Sequence, residues 1–570
     1  MPSIGYESTT HRVLAIPELL QIIFSFGTRA SNASNALVCR TWREVALDHL
    51  WRDVDDIYHL LQLLAPLHRR GEHEYYKFRR TPTPSDWAHF VPYARRVRSL
   101  DFGANSSEKA RSLADSVFDD IARTRTTLEI LPNLRRLRWD TASISQHAIL
   151  FMHDKVTEFA FNLEHDNARS LAADVIGRMP SLLSLKCACT DGYRDLDYDQ
   201  SLQQLLSSLR KIQEITLPKD ALDGQVLKTL SLLPDLKIVR FDNLGGVRCP
   251  ITPTMGCTPE EGAFPMLYDL CLHSTLEDIR LYLTGGVLLP RLKNLSVESV
   301  YPENPFAVQE FLADVTRYYP TLEVFAMDII VSIEEQTACQ SLLLEHFHPI
   351  LSLKQLVRLE LRHNLPLQIS DVDLSEFGAA LPAIEFLVLN PEPLLLTKPG
   401  FTLHSLFSIS QNFPNLFHLG IYLDADGVGA YQSQGQFLAK TRVFQCLRVL
   451  NIGVSPIGLD QVPVALFLSH LFSDNERVVI HSGVSWSTEL YKRSSEYRIT
   501  VRERCRRWGE VTKTLPLLLQ LRKEEKVHRR DIEKEVEDLR MRNEVLMGNI
   551  QMTVDTKPTT VVYDKGCTVC

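Results

Sequence analysis

One six-residue phrase governs what this chain can fold into. From residue 97 an apolar-x-x-apolar-x-apolar pattern recurs thirteen times, beginning with Val97-x-x-Leu100-x-Phe102. Its later first positions are Leu134, Val156, Leu182, Ile212, Leu236, Leu267, Leu292, Leu322, Leu356, Ile384, Leu416 and Leu447, at steps of 22 to 37 residues. The last two apolar positions of each phrase alternate, as in a strand with one buried face. Many phrases carry a proline two residues ahead, as in LPNL, MPSL, LPDL, LPRL and FPNL. A proline there can open a strand without removing a ladder donor. Between the phrases lie helical stretches such as SLQQLLSSL and AVQEFLADVTRY. A strand and a helix at this period cannot bury their apolar faces alone, so stacked neighbours must complete each unit. A generic α/β domain is the competing reading, and thirteen copies of one phrase weigh against it.

The phrase resembles the leucine-rich repeat over residues 91–485. The asparagine that normally continues that repeat and bonds the turn backbone stands clearly once, at Asn364. The resemblance therefore implies an irregular solenoid whose curvature varies with repeat length.

The first fifty residues have a different texture. In RVLAIPELLQIIFSF, residues 12–26, Pro17 sits where a first helical turn tolerates it. Leu19, Leu20, Ile23 and Phe24 follow at helical spacing, and Gly27 ends the run. ASNALVCRTW places Leu37, Val38 and Trp42 on one side of a short helix, and REVALDHLW offers Val45, Leu50 and Trp51. Three helices in so short a span bury little core by themselves, so part of this apolar surface is meant for a partner.

These residues, IPELLQIIFSF followed by NALVCRTWREVALDHLW, resemble the F-box over residues 11–56, in the form common in large fungal families. One departure is GTRASNAS, where many members carry a leucine-rich turn. The resemblance implies that Pro17, Leu20, Ile23, Leu37, Val38 and Trp42 face a Skp-type adaptor or support the face that does. The adaptor in turn ties such proteins to a cullin scaffold. The alternative is that these side chains are the module's own core, Trp51 being the more core-like of the tryptophan pair.

Charge and cysteine usage narrow the classes. Sixty-two Lys and Arg against 70 Asp and Glu give a net charge of -8, without the basic surplus of a nucleic-acid binder. Eleven cysteines in no regular framework suit reduced thiols in the cytoplasm or nucleus. The start lacks the features of a secretory signal, and no apolar run is long enough to span a bilayer, so membrane association is not expected.

Chemistry-bearing constellations are weak. Asp424-x-Asp426-Gly427 begins like a calcium loop, but Gly435 stands where the bidentate Glu belongs. Cys187-x-Cys189 and Cys249…Cys257 lack zinc-knuckle spacing. No phosphate-cradling or nucleophile-elbow motif occurs. His346, His348 and His363 read as scattered surface residues near strand ends. No catalytic residue, metal or cofactor is expected, and the chain is not expected to be an enzyme. Four insertions are candidate binding surface: residues 72–90, 188–200, 243–263 and 424–436.

The repeat phrase stops before residue 486. Ile532, Val536, Leu539, Asn543, Leu546 and Ile550 then step by 4, 3, 4, 3 and 4, a coiled-coil seam with Asn at one core position. A dimer, a cap folded onto the array and a solvated helix are all open readings. Cys567-Thr568-Val569-Cys570 has the form of a prenylation site, and some leucine-rich-repeat F-box proteins end in such boxes. Here the thin basic flank and the final Cys570 favour an unmodified tail.

The expected architecture is α/β: a three-helix F-box at 11–56, a linker at 57–90, an irregular leucine-rich-repeat solenoid at 91–485, a C-terminal helical segment at 486–552 and a flexible tail at 553–570. The expected role is a substrate-recruiting subunit of a cullin-based ubiquitin ligase, whose F-box docks a Skp-type adaptor while the repeats bind a protein substrate of unknown identity. The alternative is a scaffold of the same build without ubiquitin transfer.

Overall fold

The structure is a computed structural model. It describes residues 14, 16–69, 75–103, 113–139, 142–162, 168–188, 196–242, 256, 258–299, 301, 303–329, 339–426, 444–472, 478–485 and 494–555.

The repeated phrase folds as its alternation requires. A 15-stranded parallel sheet runs from strand Asp53–Val54 to strand Val479–Ser482, every strand pairing with its neighbours in chain order. The second apolar positions of successive phrases stand in register, from Leu100 beside Leu137 to Leu419 beside Leu450. All thirteen are at most 2% exposed, as are the thirteen first positions. A helix or short helical turn returns the chain between most strands, as Pro305–Tyr318 does between Asn294–Ser299 and Val324–Ile329. Its Val308, Phe311, Leu312 and Val315 are buried at helical spacing in the same core as the strand leucines. The result is the stacked strand-and-helix coil of a leucine-rich-repeat solenoid, with one core running its length.

Backbone bonding repeats with the sequence. The residue ahead of a strand lends its carbonyl to two successive N–H groups of the next repeat. Arg98 does so for Arg135 and Arg136 at 2.8 and 3.0 Å, and Leu183 for Gln213 and Glu214 at the same distances.

At the N-terminus three helices, α1 (Pro17–Ser25), α2 (Arg29–Asn35) and α3 (Arg40–Arg52), pack around Leu20, Phe24, Val45 and Ala46. Pro17 opens α1 in its first turn, and the Thr28 hydroxyl caps α2 by accepting the Ser31 N–H at 3.1 Å. Trp42 sets its ring edge-on to Phe24, centroids 5.3 Å apart, and donates its indole N–H to the Leu14 carbonyl at 2.9 Å.

The segment 57–90, expected as a linker, is built into the array. Strand Asp53–Val54 begins the sheet by pairing with strand Ser99–Phe102. Ile57, Leu60 and Leu61 of the helix Ile57–Gln62, and Trp87 and Phe90 of the helix Pro84–Ala94, belong to the array's core. Trp51, at the end of α3, packs against that core too and meets Tyr93 edge-on at 5.7 Å. The three-helix module is therefore fused to the first repeat without an intervening spacer.

A helix spanning Ser495–Asp555 closes the other end. Tyr497, Val501, Trp508, Val511, Leu515 and Leu519 are buried against the last repeats. The Trp508 indole donates to the Ser455 carbonyl at 3.0 Å, Arg504 to the Val454 carbonyl at 2.8 Å and Arg507 to the Ile457 carbonyl at 2.9 Å. This half of the helix covers apolar surface that a terminal repeat would otherwise expose. From Lys523 to Met547 every residue is exposed.

Candidate protein-binding surfaces

The three-helix module divides its apolar residues sharply. Leu20 and Phe24 point into its core, whereas Leu19, Ile22 and Ile23 on α1, and Phe26 just past its end, lie exposed at i, i+3, i+4 and i+7. Ile22 is 58% exposed and Phe26 87%. Between α2 and α3, Leu37 is 87% exposed and Val38 60%. Exposed apolar side chains at this density, on a unit this small, mark an interaction surface.

Of the six residues singled out from sequence, Pro17, Ile23, Leu37 and Val38 are exposed, and Trp42 is half-buried. Leu20 is fully buried, so it can only support the surface from beneath. Ile22 and Phe26 were not singled out, although their spacing with Leu19 and Ile23 was a readable stripe. Trp51 supports the array rather than the module's own core.

The second surface is the open face of the sheet, where alternate strand residues point away from the core. Near its middle stands a charged row. Glu298, Asp328 and Arg362 are register partners on adjoining strands. The Lys219 ammonium pairs with Glu298, and His273 Nδ1 lies 3.9 Å from the same carboxylate. One Asp328 oxygen, Oδ1, is buried and has no hydrogen-bond partner among the described residues. Burial, then the adjacent Glu298 carboxylate, hold the Asp328 carboxyl above the usual carboxylate range. On the same strand as Arg362, Arg358 Nε donates to Glu360 at 2.6 Å, and its guanidinium covers the Phe386 ring of the next strand at 3.8 Å. Phe386 in turn stacks on His418, centroids 4.0 Å apart. Burial lowers the His418 imidazole to about 4. This face thus carries a cluster of acidic and basic side chains beside an aromatic step.

His363 is not the surface residue its sequence context implied. It is 3% exposed, and its Nδ1 accepts the Leu365 N–H at 3.1 Å. The insertion at 72–90 contributes Phe78, Trp87 and Phe90 to the array's core, while most of its other described residues are exposed. The variable parts of the other three insertions, 189–195, 243–255 and 427–436, lie outside the described residues, as do Gly427, Gly435, Cys189, Cys249, Cys257 and Cys567. Asp424 Oδ1 accepts the Asp426 N–H at 2.9 Å, a local turn. Among the described residues no group of His, Cys, Asp and Glu converges as a metal site. No described helix is long and apolar enough to cross a membrane.

The three-helix module is thus an F-box-like domain: residues 17–56 match the F-box-like family. The chain thus joins an F-box-like domain to a long parallel sheet with helices and to a long C-terminal helix. Among solved structures the chain is similar to the leucine-rich repeat-containing protein LegL7 from Legionella pneumophila. That match has 14% identity over 59% of this chain and 98% of that one, with a TM-score of 0.33. It is similar also to a structure of the Rad7 and Elc1 complex in yeast, at 14% identity over 55% and 82% of the two chains and a TM-score of 0.31. A third match is the TLR13–ssRNA13 complex, at 14% identity over 68% and 54% and a TM-score of 0.27. Comparison with curated protein sequences gave no match.

Proposed function

We propose that this chain recruits substrates to a cullin-based ubiquitin ligase. The F-box-like domain docks a Skp-type adaptor through the exposed α1 stripe and through Leu37 and Val38, with Trp42 and Leu20 holding that surface in shape. The repeat array holds a protein substrate on its open sheet face. Transfer is then accelerated by proximity, with no side-chain chemistry from this chain. The observation that carries the reading is the exposure of Leu37 and Val38 within residues that match the F-box-like family. The fusion of α3 to the first repeat supports it further, because a rigid junction fixes the distance between adaptor and substrate.

The test is reconstitution. The full chain, mixed with a Skp-type adaptor and a cullin, should co-purify with both. Proteins captured by the array from cell extract should then acquire ubiquitin, and a chain lacking residues 17–52 should capture them without modification. Adaptor binding without any ubiquitin transfer would favour a scaffold instead.

A further inference from the structure

The C-terminal helix has two halves with different employment. Up to Arg522, whose guanidinium donates to the Ser469 hydroxyl at 2.7 Å, it is seated on the array. Beyond, it leaves the array and carries its apolar residues into solvent. Ile532 is 45% exposed, Val536 42%, Leu539 55% and Leu546 60%. Their spacing, with Asn543, assigns Val536 and Asn543 to one set of heptad core positions, a, and Ile532, Leu539 and Leu546 to the other, d. Isolated, such a helix segment is marginal in water and gains its stability by packing that seam.

We propose that this projecting segment pairs in parallel, and in register, with the same segment of a second copy of this chain. Three features of the segment choose that occupant. First, Val at a followed by Leu at d favours two strands over three or four. Second, the flanking charges are self-complementary. Glu535 occupies a g position and Arg540 the e position five residues on, so in a parallel pair each Glu535 meets the other chain's Arg540, twice by symmetry. Neither side chain makes an ion pair among the described residues, whereas nearby Arg542 is already engaged with Asp538 at 2.8 Å. Third, Asn543 decides the orientation. In a parallel pair it faces its own copy, and two amides can hydrogen-bond across the seam. An antiparallel pair could also satisfy the charges, Glu535 against Arg542 and Glu533 against Arg540. It would then press Asn543 against Ile532 and leave a buried amide without a partner. Met541 and Val545 lie off this seam and are not needed by it. The seam continues in sequence to Ile550, whose side chain lies outside those described.

The pairing does not depend on the adaptor reading. Its consequence is an assembly with two arrays and two F-box-like domains, which binds a multivalent substrate more tightly than one copy does.

The experiment measures the mass of the full-length chain in solution by sedimentation across a concentration series. The wild type should move from monomer to dimer mass as concentration rises. Leu539→Glu with Leu546→Glu should remain monomeric with an unchanged melting temperature, since both residues are exposed and far from the repeat core. Glu535→Arg and Arg540→Glu should each remain monomeric alone, because each places like charges together. An equal mixture of the two should recover dimer mass, since only a parallel pair then matches every charge. A wild type that stays monomeric throughout overturns the proposal. So does a dimer that survives the Leu539/Leu546 change, which would place the contact elsewhere. A mixture that fails to recover dimer mass overturns the parallel orientation.

Discussion

Arg96, at the start of the array, reaches back to Glu44 on α3 and donates to its backbone carbonyl at 3.0 Å. The same guanidinium pairs with the carboxylates of Glu44 and Asp48. It is thus a clasp between the F-box-like domain and the first repeat, added to the packing of Trp51 on the array's core. Because Glu44 and Asp48 remain substantially exposed, the clasp is worth about 1 kcal/mol. Arg96→Ala should leave both units folded and raise hydrogen exchange over residues 40–52, with little change in the strands beyond residue 130. Unchanged exchange over α3 would mean that Trp51 alone sets the junction.

The strand leucines should behave as core. Leu387 is fully buried and stands between Leu359 and Leu419 in the sheet. Leu387→Ala should cost about 2–5 kcal/mol. Coupling in a solenoid runs chiefly between neighbours, so protection should fall first in strands 358–363, 386–389 and 418–421. Exchange that rises evenly from residue 97 to residue 485 would contradict a stacked array.

Removing the cap should fray one end only. Trp508 is fully buried and holds the Ser455 carbonyl. Trp508→Ala should destabilise by about 3–5 kcal/mol. The loss should appear first in the strands 449–453 and 479–482. Denaturant melts followed by segment-resolved exchange would separate this from a global loss.

His363 makes stability depend on pH. Burial lowers its imidazole from 6.5 to about 4. Between those values the unfolded chain binds a proton that the folded chain refuses, so stability is fully present above about 6.5 and is lost as pH falls towards 4. His418, lowered to about 4 by burial, acts in the same direction. Asp328, whose carboxyl is raised, acts oppositely: its contribution is present at low pH and is lost as pH rises. Melting temperatures from pH 7 to pH 4 should fall less steeply in His363→Gln than in the wild type. Parallel curves for the two proteins would show that this imidazole does not carry the effect.

Much of the array was legible because one phrase places two apolar residues in every strand at fixed offsets. Strand residues from Leu100 to Leu450 align on that phrase alone. The end strands could not. At Val54 the third position of the phrase is Asp56, and at Ile480 the first position is Arg477, so neither repeat shows the whole pattern. Asn390 was missed for a similar reason. It follows its last strand apolar residue, Leu389, directly, whereas Asn364 comes three residues after Leu361. Yet Asn390 is buried in the left-handed region at φ 48°, accepts the His363 N–H at 3.2 Å and donates to the Leu365 carbonyl at 2.7 Å. It does the backbone-bonding work expected of a repeat asparagine from another offset. Within the F-box-like domain, composition announced an interaction surface, but which leucine faces inward depends on helix phase. That phase separates Leu20 from Ile23 only once α1 is docked on α3.

The most direct test is the affinity of the full chain for a purified Skp-type adaptor, measured by titration calorimetry with wild type and with Leu37→Asp/Val38→Asp. Both residues are exposed, so the double variant should keep its melting temperature within a few degrees. Placing two carboxylates in a desolvated contact should weaken binding by at least about 30-fold, the equivalent of about 2 kcal/mol. Such a loss without unfolding is the expected result. A wild type that does not bind the adaptor, or a folded double variant that binds it as tightly as the wild type, would contradict it.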